Sequence, residues 1–145
     1  MKIVLQRVNS ASVRVGEEVV GQIRRGYVAL LGIGAKDDEA AVDRAVEKIK
    51  KLRLFPDDEG KTNRSIIDVA GELLVVSQFT LYADCKKGNR PSFAEAASPD
   101  RAEALYEYFI AAAKPHFVKV AHGSFGASMK VELVNDGPFT VILEM

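Results

Sequence analysis

Gly26-Tyr27-Val28-Ala29-Leu30-Leu31-Gly32-Ile33-Gly34 is almost wholly apolar, as a strand buried on both faces is. A second run of the same kind, Leu73-Leu74-Val75-Val76, leads into Ser77-Gln78-Phe79-Thr80 and predicts a strand over Glu72 to Thr80. Between them Val42, Ala45, Val46, Ile49 and Leu52 recur at helical spacing, with Asp37 or Asp38 placed to cap the helix. Lys48, Lys50 and Lys51 fall near the end of that helix, where cations suit its dipole.

Outward toward the N-terminus, Ile3 to Val8 reads as a strand, and Ser12 to Val15 with Glu18 to Ile23 as a hairpin around Gly16. After the helix, Leu52 to Phe55 is extended, Pro56 to Gly60 is a turn, and Asn63 to Val69 is either loop or short strand. Residues 84–97 read as a long loop. Ser98 and Pro99 then open a second helix with Ala102, Leu105, Tyr106 and Phe109 inward, ended by Lys114-Pro115. Three further strands are expected around 117–122, 127–134 and 139–144. The order predicts an α/β fold: one domain, residues 1–145, with a mixed sheet and two main helices on one side.

A chain of 145 residues buries roughly 70% of its unfolded surface. Its 48% hydrophobic and 28% charged content is that of a soluble globular protein. Formal net charge is zero, so contact with nucleic acid requires a local basic patch. Cys85 is the only cysteine, which excludes an intrachain disulfide; with His116 and His122 six apart, no structural zinc site is expected. No cofactor is implied. The N-terminal apolar run is too short for a signal peptide and nothing approaches a membrane span, so a cytoplasmic location is expected.

The familiar catalytic patterns are missing: no Gly-x-Ser-x-Gly elbow, no phosphate loop. Cys85 has no evident base and reads as an incidental loop residue, and neither histidine has a carboxylate close in sequence. What remains is the strand end Ser77-Gln78-Phe79-Thr80-Leu81-Tyr82, where hydroxyls can anchor substrate or water and free amides can stabilise an oxyanion. Such hydroxyls also commonly bond their own backbone. Lys86, Lys87 and Arg90 lie on a Gly-containing loop and form the best local phosphate-binding candidate, a solvated charge run being the alternative. The other anomaly is Asn135-Asp136-Gly137-Pro138-Phe139-Thr140 between two strand-like runs. A proline there implies a bend, an edge or a bulge, and raises the chance of a cis bond that aims backbone carbonyls in one direction.

Together these segments closely resemble the D-aminoacyl-tRNA deacylase family. The likeness runs through Gln6-Arg7-Val8, Gly21 to Gly34, Lys51 to Phe55, Gly71 to Ala83, Gly88 to Phe93, Phe125-Gly126-Ala127 and Asn135 to Thr140. The paired signatures Ser-Gln-x-x-Leu-x-Ala, from Ser77, and Asn-x-Gly-Pro-x-Thr, from Asn135, carry it most specifically. The resemblance implies barrel-like layers, a homodimer with active sites at the subunit interface, and hydrolysis of the ester at the 3′ end of D-aminoacyl-tRNA. It implies that the carbonyls of Gly137 and Pro138, across a cis bond, reach into the partner's site, receive the α-amino group and exclude L side chains. Achiral glycyl esters are then also expected to be cut. By the same resemblance Ser77, Gln78, Phe79 and Thr80 form the catalytic segment, with amides near Phe79 and Thr80 as the oxyanion site and the ribose 2′-hydroxyl helping to activate water. Arg7 is expected to orient the Gly-Pro segment, Met129 to line the pocket, and Asn135 and Thr140 to complete the motif.

The chain departs from the pattern at Ser128, where many relatives carry an acid, at Cys85, and at His122-Gly123-Ser124. These bear on substrate preference or packing rather than on the signatures. Two other readings stay open: a module that binds the tRNA end without turnover, and an editing enzyme tuned to another misacylated species.

Overall fold

The computed structural model describes residues 1–145. Strands β1 (Lys2–Val15), β2 (Glu18–Ile23) and β3 (Gly26–Gly32) precede helix α1 (Glu39–Lys51). Strands β4 (Arg53–Pro56), β5 (Thr62–Ser65) and β6 (Glu72–Ser77) follow, then a 3-10 turn at Phe79–Tyr82, helix α2 (Pro99–Ala113), β7 (Val120–His122) and β8 (Met129–Glu144). The main sheet runs β2-β1-β3-β6-β7, with β8 also paired to β1. β3, β6 and β7 are mutually parallel, whereas β1 is antiparallel to β2, β3 and β8, so the sheet is mixed. β1 carries the curvature. Its first half lies between β3 and β8 and its second half between β2 and β8, with register breaks around Val8. This bend brings β2 against β7 and nearly closes the sheet into a barrel.

The two apolar runs behave as their composition demands. Tyr27, Ala29 and Leu31 of β3, with Leu73 and Val75 of β6, face the helices. Their neighbours Val28, Leu74 and Val76 face the barrel interior with Val8, Val13 and Ile23. α1 and α2 lie side by side on the first face, burying Val42, Ala45, Val46 and Ile49 from one and Leu105, Tyr106, Phe109 and Ile110 from the other. Fully burying a side chain such as Phe109 is worth roughly 1.5–3 kcal/mol. α1 begins as expected: the Asp38 carboxylate accepts the Ala41 amide at 2.9 Å.

Several expectations are corrected. The strand expected over Glu72 to Thr80 stops at Ser77. Its partner β3 ends one residue past Leu31, the residue opposite Ser77, so an extended chain beyond has nothing to pair with and turns instead. Ser98 occupies the α2 cap position but its hydroxyl makes no capping bond; Pro99 at the first turn sets the helix start. The first two expected strands are the single β1, and the last two are the single β8, which absorbs Gly137-Pro138 as a bulge. Residues 62–65 form a strand against β4.

β3 and β6 meet closely at their starts. A Cβ on Gly26 would sit 1.8 Å from the Glu72 carbonyl oxygen, so only glycine fits. The Glu72 side chain, on a residue 5% exposed, accepts the Arg24 amide at 2.8 Å and the Arg24 guanidinium at 3.2 Å. Burial opposes its ionisation, but these bonds together with the Arg24 and Lys119 charges outweigh it and hold the carboxyl below its ordinary value of 4.5. A depressed folded value means stability that is present above pH 4.5 and lost as pH falls through the lowered value. Glu72→Gln is therefore expected to be less stable than the parent at pH 7, with the gap closing as the solution is acidified below pH 4.5. Urea unfolding across that range measures this; a gap that stays constant would remove Glu72 as a source of acid sensitivity.

Candidate active site

The C-terminal end of β6 opens into a cleft of about 470 Å³. Leu31 and Ile33 form one wall, and Pro99 and Ala102 from the start of α2 another. Phe125, Gly126 and Ala127 with Met129 and Val131 complete it, and Ser77, Gln78 and Phe79 lie along it. None of the lining side chains titrates. Ten of the fourteen are hydrophobic, so a polar group brought here meets main-chain dipoles rather than acids or bases.

The turn after β6 supplies those dipoles. The Gln78 amide still bonds the Leu31 carbonyl, at 2.8 Å, as the last rung of the sheet. The first bond of the turn runs from the Leu81 amide to the Gln78 carbonyl at 3.2 Å. The intervening amides of Phe79 and Thr80 precede that bond and donate to no acceptor within the chain. The Gln78 side chain donates to the Thr80 hydroxyl, which ties the two polar residues of the segment together.

Two tyrosines hold the frame. The Tyr106 hydroxyl of α2 donates to the carbonyls of Val75, at 3.0 Å, and Gly123, at 3.2 Å, which joins β6 to the segment leading into Phe125–Ala127. Burial pushes its ionisation well above the ordinary range. Tyr82, at the end of the turn, is pushed up to about 12 by burial and by Asp37, whose carboxylate accepts its hydroxyl at 3.4 Å. Both hydroxyls thus remain neutral donors near neutral pH.

Phe79 is 57% exposed and its ring lies 5.0 Å from that of Phe93, which brings the 84–97 loop beside the cleft. Paired bonds between Asp84 and Ser92 close the base of this loop. Lys86, Lys87 and Arg90 are exposed at its tip.

A second polar group sits on β8. Register pairs Gln6 with Thr140 and Val8 with Asn135, so Arg7 alone faces the four residues 136–139. Arg7 is 9% exposed. Its Nε donates to the Asp136 carbonyl at 2.9 Å and pairs with the Asp136 carboxylate at 3.2 Å, while Nη1 donates to the Leu54 carbonyl at 2.5 Å. The guanidinium also lies over the Phe139 ring, 4.8 Å from its centre. The Gly137–Pro138 peptide bond is cis, Gly137 has φ +147°, and both residues are exposed. Neither carbonyl enters the β1–β8 register, and no turn or side-chain donor reaches them.

The structure thus brings Ser77, Gln78, Phe79 and Met129 to one cleft with Thr80 beside them. It gathers Arg7, Asn135, Gly137, Pro138 and Thr140 into a separate group that does not line that cleft within one chain. Sequence reasoning missed Leu31, Ile33, Ala102, Val131 and the Phe125–Ala127 wall as site residues. They carry no reactive group, and only their position around the end of β6 makes them part of a site. His116 meets Lys50 at 3.3 Å, His122 meets the Gly123 carbonyl at 3.0 Å, and Cys85 is exposed and free; none lines the cleft. No group of three or more His, Cys, Asp or Glu side chains is arranged to hold a metal ion, and no helix is long and apolar enough to cross a membrane.

The family model described as D-Tyr-tRNA(Tyr) deacylase matches residues 4–144. A D-aminoacyl-tRNA deacylase of Thermosipho melanesiensis is 49% identical over 145 residues, covering 99% of this chain and 97% of its own. One from Rhodopirellula baltica is 52% identical over 145 residues, covering 100% of both. Among solved structures, one described as c-Myc DNA Unwinding Element Binding Protein superposes with a TM-score of 0.94 at 42% identity, covering 100% of this chain and 99% of its own.

Proposed function

The chain belongs to the D-Tyr-tRNA(Tyr) deacylase family and is a hydrolase of the aminoacyl-tRNA ester bond, and from that premise we propose that residues 1–145 act as one domain that cuts D-aminoacyl esters at the end of β6. The observation that carries this reading is the pair of unbonded amides, Phe79 and Thr80, beside a cleft without a titratable side chain. In ester hydrolysis negative charge develops on the former carbonyl oxygen. Preorganised amide donors stabilise it, each worth about 3–4 kcal/mol of barrier when well placed. The ester is itself activated, and the ribose 2′-hydroxyl next to it can position the attacking water and accept its proton while passing its own to the departing 3′-oxygen. Proximity and electrostatics then replace a side-chain triad. Ser77 and Gln78 set the direction of the turn, and the Thr80 hydroxyl, already engaged by Gln78, has a supporting role rather than that of nucleophile.

The chiral screen comes from the other polar group. β8 pairs only with β1 and leaves its far edge without a strand, while Val134 and Ile142 on it are exposed. A two-fold dimer through this region would carry Gly137 and Pro138 of one subunit to the cleft of the other. Their free carbonyls would accept the substrate α-amino group and leave no room for a side chain in the L position. D side chains would point away, so many D-amino acids would be accepted, and glycine, with nothing to exclude, would also be cut. Arg7 would hold this segment and Met129 would line the pocket. Lys86, Lys87 and Arg90 would meet tRNA phosphates beside the cleft. A cytoplasmic site of action follows from the substrate.

Incubation with D-tyrosyl-, L-tyrosyl- and glycyl-tRNA tests the reading. D-tyrosyl and glycyl esters are expected to be cleaved and L-tyrosyl to survive. Thr80→Ala is expected to keep its rate on D-tyrosyl-tRNA within about tenfold, the loss of one hydrogen-bonding side chain. Binding without cleavage of any ester would make the protein a tRNA-end module, and efficient L-ester cleavage would defeat the screen. Abolished activity in Thr80→Ala would return the nucleophile to a side chain.

A further inference from the structure

Arg7 bonds one end of the 136–139 excursion, at Asp136, and meets the other only through the face of the Phe139 ring. The other end is closed by Asn135, whose carboxamide turns inward and takes part in three contacts. Its Oδ1 accepts the Phe139 amide at 2.6 Å, and its Nδ2 donates to the Thr140 hydroxyl at 3.2 Å and to the Phe139 carbonyl at 3.4 Å. Gln6 reaches the same Thr140 hydroxyl from β1, at 3.4 Å. The carboxamide therefore replaces, across the base of the bulge, the ladder bonds that β1 cannot supply to four residues facing one. With Asp136 taken by Arg7 and Phe139 by Asn135, the two carbonyls between them have no register partner and receive no side-chain donor.

We propose that Asn135 is a positioning residue for stereochemical discrimination: it fixes where the Gly137 and Pro138 carbonyls stand, through its bonds to Phe139 and Thr140, without touching substrate. This rests on the reading of those carbonyls as the chiral screen. A screen built on exclusion tolerates little displacement, because a small shift opens space for an L side chain while it weakens capture of the α-amino group. Loss of the clamp should thus lower the D rate and raise the L rate. A role in folding alone would scale both rates by the same folded fraction.

The test is single-turnover hydrolysis of D-tyrosyl- and L-tyrosyl-tRNA by the full chain carrying Asn135→Ala, Asn135→Asp or Thr140→Val. Asn135→Ala loses all three bonds, and its D-to-L rate ratio is expected to fall at least about tenfold, the equivalent of one net hydrogen bond. Asn135→Asp keeps an acceptor for the Phe139 amide, and its carboxylate can accept a hydrogen bond from the Thr140 hydroxyl, so the ratio should stay within roughly threefold of the parent. If Asn135→Ala does not fold by circular dichroism, Thr140→Val, which removes the nearer of the two Nδ2 acceptors, is read in its place and should lower the ratio severalfold. An unchanged ratio in the folded Asn135→Ala protein, or in Thr140→Val where that stands in, overturns the proposal. Gly137→Ala separates this failure from that of the screen itself. If its ratio moves and that of Asn135→Ala does not, only the role of Asn135 is lost; if neither moves, the screen is lost too.

Discussion

Gly137→Ala is expected to lose about 100-fold or more of the rate on D-tyrosyl-tRNA while the chain remains folded. At φ +147° an L side chain is strained, a cost of roughly 1–3 kcal/mol. An added Cβ would also stand 2.8 Å from the Phe139 nitrogen and 3.1 Å from the Phe139 Cβ. The segment must therefore move, and both free carbonyls move with it. Gly137 belongs to neither core, and only Phe139 at the rim of the helix-side core adjoins it, so far-ultraviolet circular dichroism should be unchanged. Activity equal to the parent would exclude this segment from the site.

The same variant reports whether the site is shared. A second protein, Ala127→Trp, fills the cleft and leaves the β8 bulge intact. In a two-fold dimer a heterodimer of the two has one damaged site and one intact site. Random exchange of equal amounts should restore roughly a quarter of the parental activity from two inactive samples. No recovery after exchange, or a fully active monomer by sedimentation, would place the whole site within one chain.

Arg7→Met is expected to cost about 3 kcal/mol of stability, because it strips a buried guanidinium from a carboxylate and two carbonyls. For a chain of this size that is a fall in Tm of roughly 6–12 °C. Hydrolysis of the D ester should fall with it beyond the loss of folded protein, since Asp136 is then released from one end of the excursion. Arg7→Lys keeps the charge but cannot donate to Asp136 and Leu54 at once, so it should recover little. Thermal unfolding and the D-tyrosyl-tRNA rate measure both effects. A lysine variant as stable and active as the parent would show that charge alone suffices and that the fork geometry does not matter.

Much of the scaffold was readable because burial leaves periodic marks. Val28 against Tyr27 and Leu31, or Leu74 and Val76 against Leu73 and Val75, alternate between two cores, and that requires an apolar residue at every position. Asp37 and Asp38 marked the helix start, and the bond from the Ala41 amide makes Asp38 the cap. Where β6 ends was not readable. Leu73 to Thr80 carries no breaker, and the strand stops because β3 stops, a fact of pairing across more than 40 residues of chain. The proline in β8 was marked as a bend, an edge or a bulge, but that it is a bulge in which one residue of β1 faces four of β8 depends on the register of strands from opposite ends of the chain.

The division follows the range of the forces. The residues alone determined the α/β class, the apolar strands, a helix start at Asp37 or Asp38 and the two polar signatures, because each rests on local backbone preference or on a short hydrophobic period. Tertiary structure decided that the Phe79 and Thr80 amides are left without acceptors, that a wall of side chains with no reactive groups surrounds them, and that Arg7 and Asn135 grip the two ends of one bulge. Those are matters of which distant groups meet and which are left unmatched, and a hydrogen bond left unmade has no signature in sequence.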